Sequence, residues 1–540
     1  MTHSVIKRWL FPALIVLAAA GLYAPYLDNP LVFDDEYFFM AGNPESYVAK
    51  GFSFAPRWLA YYSHGLTFTL IGTEIYPQRI GNMILHAGTG VALYAFILCL
   101  LSTVRTRREN GPSVELAAAI AALLFVLHPA AVYGAGYLIQ RTILMATFFC
   151  LLSWVAFWKG INGSRTALWL ATPLFMLAAL SKEHVVMAPI IAALLWIGVR
   201  GDGMQRPCPS QREIIAALLS QAVVSLMLVL SMAKVIGHAY EPMVAGTVSP
   251  ESAASTDSPL IFPLSVLTQS GLFFKYLILW IVPNGSWMSI DMREPFAALP
   301  VPATTWLRSL AFFAYPVAIV MAWLKYRRRF AIGIALLTPW VMFSTEIATV
   351  RVQEIFVLYR SYLWMPALFA LAALGLLKLE RRMCIALGVI GCCALGLFSI
   401  NKLNTFSHTF YIWDEAASLA EQQGADERTP AGLARIYHNR GLSLMREGFI
   451  PNAIEDFNKA LSLAPEYTAV YSDRGAAHLG MKAFDQAIED FESAARLDPN
   501  EGKYRAGKAA ALRGKEDTSN ARLEDAAACA LGWVRSCTSP

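Results

Sequence analysis

The chain has 540 residues, of which 56% are hydrophobic and 15% charged, with a mean hydropathy of +0.45. Soluble domains carry about 45–50% apolar and about 25% charged residues, so this composition argues against a soluble enzyme, a disordered scaffold or a nucleic-acid binder. The net charge of +5 is unevenly spread: residues 401–540 carry 16 basic and 20 acidic groups, so a basic apolar block precedes an acidic polar tail. That division reads as a membrane domain followed by an aqueous one.

Crossing the hydrocarbon core takes about 20 apolar residues. In chain order such stretches fall at 9–27, 77–101, 115–132, 140–158, 166–181, 184–199, 213–236, 307–324, 330–345, 361–377 and 383–400, about 11 spans within residues 1–400. The first reads as an anchor rather than a cleaved signal, because no small-x-small site precedes the next polar segment. Short basic loops stay inside. Lys7 and Arg8, Arg105, Arg107 and Arg108, Lys159 and Arg165, Arg200, Arg206 and Arg212, Lys325 with Arg327–Arg329, and Lys378 with Arg381 and Arg382 mark the cytoplasm, including the N-terminus. Segments 28–76, 133–139, 237–306 and 346–360, the turn at 182–183 and everything after about 401 then lie outside. Residues 263–283 are long enough to cross, but a further crossing breaks this parity, and Lys275 sits in mid-stretch. The expectation there is a re-entrant or interfacial helix on the outer face.

The outer loop 28–76 holds Asp28, Asp34, Asp35, Glu36, Glu45 and Glu74 against Lys50 and Arg57. Three carboxylates in the run Phe33-Asp34-Asp35-Glu36-Tyr37 repel one another, and partial desolvation raises the pKa of at least one, as suits a general base or metal ligand. The outer helix ends collect the opposite charge: Arg79 and His86, His128-Pro129, Arg141, Ser181-Lys182-Glu183-His184, and Arg360 before Ser361-Tyr362. Any one of these reads as a snorkelling end-cap. Together they can hold an anion at the interface, and arginine suits phosphate. Phosphate-loop, dinucleotide and HExxH zinc patterns are missing from the sequence. The eight cysteines (Cys99, Cys150, Cys208, Cys384, Cys392, Cys393, Cys529 and Cys537) lack metal-type spacing, and most read as small packing residues. Pairing of Cys529 with Cys537 stays open.

The tail repeats itself. Tyr437 and Tyr471, Arg440 and Arg474, Gly441 and Gly475, Ala453 and Ala487, Phe457 and Phe491, and Pro465 and Pro499 share one spacing, the period of a tetratricopeptide repeat. Gly441 and Ala453 let two helices approach, and Tyr437 and Phe457 fill the space between them. A degenerate third unit occupies about 501–533 with Ala521 and Ala528 in phase. The expected division is a membrane domain 1–400, a linker or helix 401–433, and a repeat domain 434–533. The repeats read equally as a recognition surface for a protein segment and as a packing module.

The order of these elements resembles that of the TMTC-like membrane glycosyltransferases, which join a C-type glycosyltransferase fold to tetratricopeptide repeats. Val32-Phe33-Asp34-Asp35 is similar to the family's hydrophobic-x-Asp-Asp element. Arg57-Trp58-Leu59 resembles an Arg-Pro-Leu segment with Trp58 in place of proline. Asn82 and His86 match an Asn-x3-His element, and Leu127-His128-Pro129 with Tyr137 and Gln140-Arg141 matches a His-Pro…Tyr-x-x-Gln-Arg stretch. Ser181-Lys182-Glu183 matches a Ser-Lys-Glu turn, and Glu354 to Pro366, with Arg360, Tyr362 and Leu363, resembles a Glu-Arg-Tyr-Leu-Tyr-Leu-Pro region. Tyr133 and Ile143 stand where members of the family carry acids.

The resemblance implies an all-α, polytopic enzyme that takes a sugar from a polyprenyl-phosphate donor at the outer face and passes it, with inversion, to an acceptor hydroxyl. Asp34 or Asp35 would accept the proton. Arg141, Lys182, Arg360 and Lys275 would hold the lipid phosphate, with Glu36, Arg57, Arg79, Asn82, His86, His128, Glu183 and Tyr362 completing the site. Assistance by a divalent cation is left open. The acceptor is expected on a protein presented by the repeats. The alternatives are a lipid or surface polysaccharide with the repeats recruiting partners, and a non-catalytic scaffold. Compact loops and few repeats suit a bacterial inner membrane with a periplasmic repeat domain, the endoplasmic-reticulum membrane being the alternative.

Overall fold

The structure is a computed structural model describing residues 2–104, 110–201, 209–238, 259–326, 330–352, 354–422 and 430–537. Arg105, Arg107, Arg108, Arg206, Arg327–Arg329 and Cys208 lie outside the described residues, as do 239–258 of the expected outer segment and 423–429 of the linker.

Described residues form helices throughout, with an isolated bridge between Met292 and Phe356 in place of any sheet. Among the described residues eight helices are long and apolar enough to cross a membrane: Trp9–Tyr26, Ile75–Leu101, Leu138–Ile161, Gln211–Ser231, Ile261–Ile281, Ala303–Lys325, Phe330–Ile347 and Arg381–Thr405. Val114–Val126 and Pro129–Ala135 form a ninth if taken as one span bent by 64°. Shorter apolar helices occupy Arg165–Ser181, Glu183–Val199 and Pro366–Leu376. Helices satisfy their own backbone polar groups, so apolar side chains can face lipid without penalty. Leu307, Leu310, Val317, Met321 and Leu324 do so along Ala303–Lys325.

The bend follows from sequence. Pro129 cannot continue the preceding helix, and His128 caps the new one, its Nδ1 accepting from Ala130 N–H at 3.2 Å. The turned segment carries Tyr133, against Phe406, and leads on to Tyr137, whose Oη accepts from Asp34 N–H of the first loop.

The stretch expected as re-entrant or interfacial is one unbroken 21-residue helix, Ile261–Ile281, so a re-entrant break is not what it forms. Both its ends nevertheless lie at the end of the bundle that carries the first loop. At one end, Ser265 Oγ accepts from Arg351 N–H at 3.0 Å, just beyond helix Phe330–Ile347. Past the other, Met288 carbonyl accepts from Lys402 Nζ at 2.8 Å, near the close of helix Arg381–Thr405. Length alone does not make this helix a crossing.

In the tail, six helices from Pro430–Arg446 to Thr518–Ala530 pack as three antiparallel pairs, the third being the degenerate unit. The close approach expected at Gly441 is real: a Cβ there would stand 2.7 Å from the Phe457 ring. Helix Thr409–Gln422 contributes Trp413, Ala416, Ala417 and Ala420 to the same core as Tyr437 and Phe457, so it caps the solenoid rather than merely linking it. The solenoid docks on the first-loop end. Asp291 accepts from Arg435 Nε and Nη2 at 3.0 and 2.8 Å and also pairs with Arg293. Gly432 makes that joint possible, because it has φ +95° and any Cβ would overlap the Arg293 guanidinium. Cys529 and Cys537 form a disulfide in the last repeat.

Candidate functional site

The first-loop acids separate within one turn. Phe33 adopts φ 53° and ψ −123°, a positive-φ conformation unusual for an aromatic residue, and starts the short helix Asp34–Glu36. The turn directs neighbouring carboxylates to different places. Asp35 is fully buried, and its Oδ1 and Oδ2 accept from Ile139 and Leu138 N–H at 2.8 and 3.2 Å. Burial pushes its carboxyl up to about 7, with Arg79 and the two N–H groups holding against it. Asp35 therefore fastens the first loop to the segment that leads into helix Arg141–Ile161.

Asp34 is exposed at the surface of a cleft. Its N–H donates to Tyr137 Oη at 3.1 Å. Surrounding protein raises its carboxyl above the ordinary value, while a hydrogen bond from Tyr137 and the charges of Arg435, Arg57 and Lys182 draw it down. Of the two aspartates, this one can meet a substrate and carries a cationic rim.

Lys182 is 4% exposed; its backbone N–H donates to the Ala178 carbonyl, but among the described residues its ammonium has neither a hydrogen-bond nor an ion-pair partner. Its Nζ stands 5.9 Å from the centroid of the Tyr359 ring, which the Arg360 guanidinium also approaches at 5.8 Å. Burial, reinforced by Arg57, presses the ammonium down to about 7, and Glu183 works against them. A buried cation without a counter-ion is costly unless an anion arrives. Beside it Arg57, itself at φ 67°, grips Glu183 with two hydrogen bonds of 3.1 and 2.6 Å.

Behind Lys182 lies a second layer of charge. Buried Glu346 accepts from Arg360 Nη1 at 3.2 Å, lies 3.5 Å from Arg351 Nε and 2.8 Å from His184 Nε2. Arg360 Nη2 also donates to Glu354 at 2.7 Å. A largely apolar cavity of about 330 Å³ opens next to it, lined by Met187, Leu228 and Val235 together with Glu183, His184 and Arg351.

The remaining expected residues are each held by contacts within the protein. Arg141 is buried, and its guanidinium donates to Asn82 Oδ1, Ser63 Oγ and Gln78 carbonyl at 2.9, 3.3 and 2.7 Å. Through these three bonds it braces the helices around it. Lys275 pairs with Glu294 between the rings of Trp287 and Phe356, and so is likewise engaged. Arg360 backs the site through its two glutamates. Arg79 donates to the carbonyls of Asn29, Pro30 and Gly136, pinning the loop, and Asn82 Nδ2 donates to Leu138 carbonyl at 3.1 Å. His86 bonds Tyr362 Oη and Val126 carbonyl at 2.7 and 3.0 Å within the core. His128 stacks on Trp280 at 4.6 Å. Glu36 forms an exposed ion pair with Arg446 of the first repeat.

Sequence reasoning passed over Arg435, Asp291, Arg293, Glu346, Arg351 and Tyr359. Glu346 and Arg351 bracket an outer loop already rich in charge, which was the available signal. Arg435 and Asp291 meet across 144 residues, and no local spacing announces them. Among the described residues no group of three or more His, Cys, Asp and Glu side chains converges as a metal site, so no residue is assigned to a divalent ion.

Tetratricopeptide-repeat family models match residues 434–467 and 468–501. Those 68 residues are therefore two such repeats. No curated protein matches the chain. Among solved structures, ArnT from Cupriavidus metallidurans bound to undecaprenyl phosphate is similar at 13% identity over 91% of this chain and 80% of that one, with a TM-score of 0.37. Yeast Tom70 is similar at 12% identity over 77% and 73% of the two chains, with a TM-score of 0.18.

Proposed function

We propose that this chain is an inverting membrane glycosyltransferase that moves a sugar from a polyprenyl-phosphate donor to an acceptor hydroxyl on a protein. One observation carries the reading: the exposed carboxylate of Asp34 stands within electrostatic reach of Lys182, a buried cation without a partner. The order of motifs shared with TMTC-like enzymes agrees with it.

On this reading Asp34 accepts the proton of the acceptor hydroxyl as its oxygen attacks the anomeric carbon from the face opposite the phosphate. The bond from that carbon to the phosphate oxygen breaks, and its electron pair departs on the polyprenyl phosphate. Lys182 neutralises the charge that develops there, and Arg57 and Arg360 shape the field around it. The apolar cavity whose lining includes Glu183 and Arg351 offers the prenyl chain a dry path to this point. Tyr137 orients the base through the Asp34 backbone.

In this proposal residues 1–400 form the catalytic membrane domain with eleven crossings, and 434–533 the repeat domain. The N-terminus is cytoplasmic and the repeats stand on the outer side, the periplasm of a bacterial inner membrane. The Cys529–Cys537 disulfide supports an oxidising compartment for the tail. The test is sugar transfer by the full-length chain in vesicles containing polyprenyl-phosphate sugars. Asp34→Asn should lower the rate by about 10²–10⁴ with the protein still folded and inserted. Wild-type rates in that variant would refute the proposal.

A further inference from the structure

Helix Ile75–Leu101 starts at the first loop, which Arg79 pins, and helix Arg141–Ile161 starts just after Leu138 and Ile139, the partners of Asp35. Both end at a cavity of about 1940 Å³ on the opposite side of the bundle. One crossing shapes it. Gly90 lets the first helix and helix Val114–Val126 close on helix Ile75–Leu101, since a Cβ there would overlap the side chains of Ile15 and Val126. The cavity begins at the next residue, Val91, and continues past Tyr94 and Leu98 to Ser102.

At about 1.5 Å per residue that wall is about 16 Å long, half of a hydrocarbon core about 30 Å thick. Phe11, Leu116, Val155 and Trp158 add to its apolar sides. The volume exceeds about 1,000 Å³, the upper end for small-molecule pockets. Its charged residues are Lys159 in the last turn of helix Arg141–Ile161, Arg381 at the start of helix Arg381–Thr405, and Glu115 in the first turn of helix Val114–Val126. All three are exposed, and among the described residues their side chains have no ion-pair or hydrogen-bond partner. Arg381 N–H donates to the Asn110 carbonyl at 3.0 Å, which sets this cation beside the turn leading into the helix of Glu115. Two unpaired cations and one unpaired carboxylate thus share the mouth of a slot that is apolar for the depth of one leaflet.

We infer that this cavity binds phosphatidylethanolamine from the leaflet on that side. Lys159 and Arg381 hold the phosphodiester by charge-assisted hydrogen bonds, Glu115 accepts from the primary ammonium, and the acyl chains lie along Tyr94, Leu98 and Trp158. Glu115 supplies the selectivity. A headgroup without an amine leaves this carboxylate facing a phosphate, and the quaternary ammonium of phosphatidylcholine has no N–H to donate. The site lies away from Asp34 and Lys182, so it stands independently of the transferase reading.

The test uses the full-length chain in detergent, with phosphatidylethanolamine carrying a diazirine in one acyl chain as the probe. Illumination should label segments 91–102 and 155–162. Unlabelled phosphatidylethanolamine should compete about tenfold better than phosphatidylglycerol or phosphatidylcholine. Glu115→Gln should remove the preference over phosphatidylglycerol. Lys159→Gln combined with Arg381→Gln should weaken competition by phosphatidylethanolamine about tenfold. These side chains are exposed and unpaired, so the variants should melt with wild type when no lipid is added. Absence of label from both segments, equal competition by phosphatidylglycerol in the wild type, a preference that survives Glu115→Gln, or undiminished competition in the double variant would overturn the inference.

Discussion

Arg57 and Glu183, 126 residues apart, are locked together by two hydrogen bonds, Nε to Oε2 at 3.1 Å and Nη2 to Oε1 at 2.6 Å. The pair fastens the first loop to the turn that carries Lys182, so it sets the distance between the proposed base and the proposed phosphate cation. Arg57→Met leaves Glu183 buried without its fork and should cost about 2 kcal/mol, less than a fully buried pair because Arg57 is partly exposed. Arg57→Met combined with Glu183→Met should recover part of that loss. A double-mutant cycle by thermal unfolding in detergent measures it, and additive losses would show that the pair is not coupled.

Lys182 separates function from stability. Removing a buried cation that has no partner should leave the fold as stable or make it more so, while donor affinity is lost. Lys182→Met is therefore expected to melt no lower than wild type and to show at least about a tenfold weaker interaction with polyprenyl phosphate. Calorimetry with the lipid and a melting curve check both halves. A lower melting temperature would show that the ammonium has a structural role.

The same ammonium predicts a pH dependence. Held down to about 7, it is protonated below that value and neutral above it, so kcat/KM for the donor should fall as pH rises through about 7. On the acid side kcat/KM should rise with pH as Asp34 loses its proton, above the ordinary aspartate range. Lys182→Arg keeps its charge and should move the alkaline limb to higher pH. Stability runs the other way. Between about 7 and 10.5 the unfolded chain binds a proton that the folded chain does not, so stability rises with pH there, and Lys182→Met should flatten the rise.

Asp35 should behave as a fastener. Asp35→Asn can still accept one N–H bond, but its amide cannot accept from the second, and it loses the attraction of Arg79. The expected destabilisation is about 1–3 kcal/mol by chemical unfolding. A melting curve unaltered by Asp35→Asn, alongside abolished transfer, would transfer the catalytic role from Asp34 to Asp35.

The helices, their apolar lengths and the repeat were legible because each rests on local periodicity: apolar runs of spanning length, and Gly441 recurring as Gly475. The division of labour between Asp34 and Asp35 was not, because it depends on φ at Phe33 and on amides more than a hundred residues away. The partners of Arg141 were hidden for a similar reason. An arginine at a helix start looks the same in sequence whether it greets a phosphate or the carbonyl of Gln78. Arg435 was hidden because its partner Asp291 lies 144 residues away, while Lys182 drew attention because the Ser-Lys-Glu turn sets charges side by side in adjacent residues.

Phe33 sits against Trp413 at 5.6 Å and Tyr137 at 6.4 Å, with the Arg435 guanidinium 5.2 Å from its ring. Two of those three neighbours belong to the tail. An unfavourable backbone twist persists only while something presses on it, and here the pressure comes from the solenoid. Cutting the chain after residue 408 should thus slacken the very bend that aims Asp34 and silence the membrane part even toward the simplest acceptor. Catalyst and receptor would then form a single machine, with no bare engine to be salvaged by trimming.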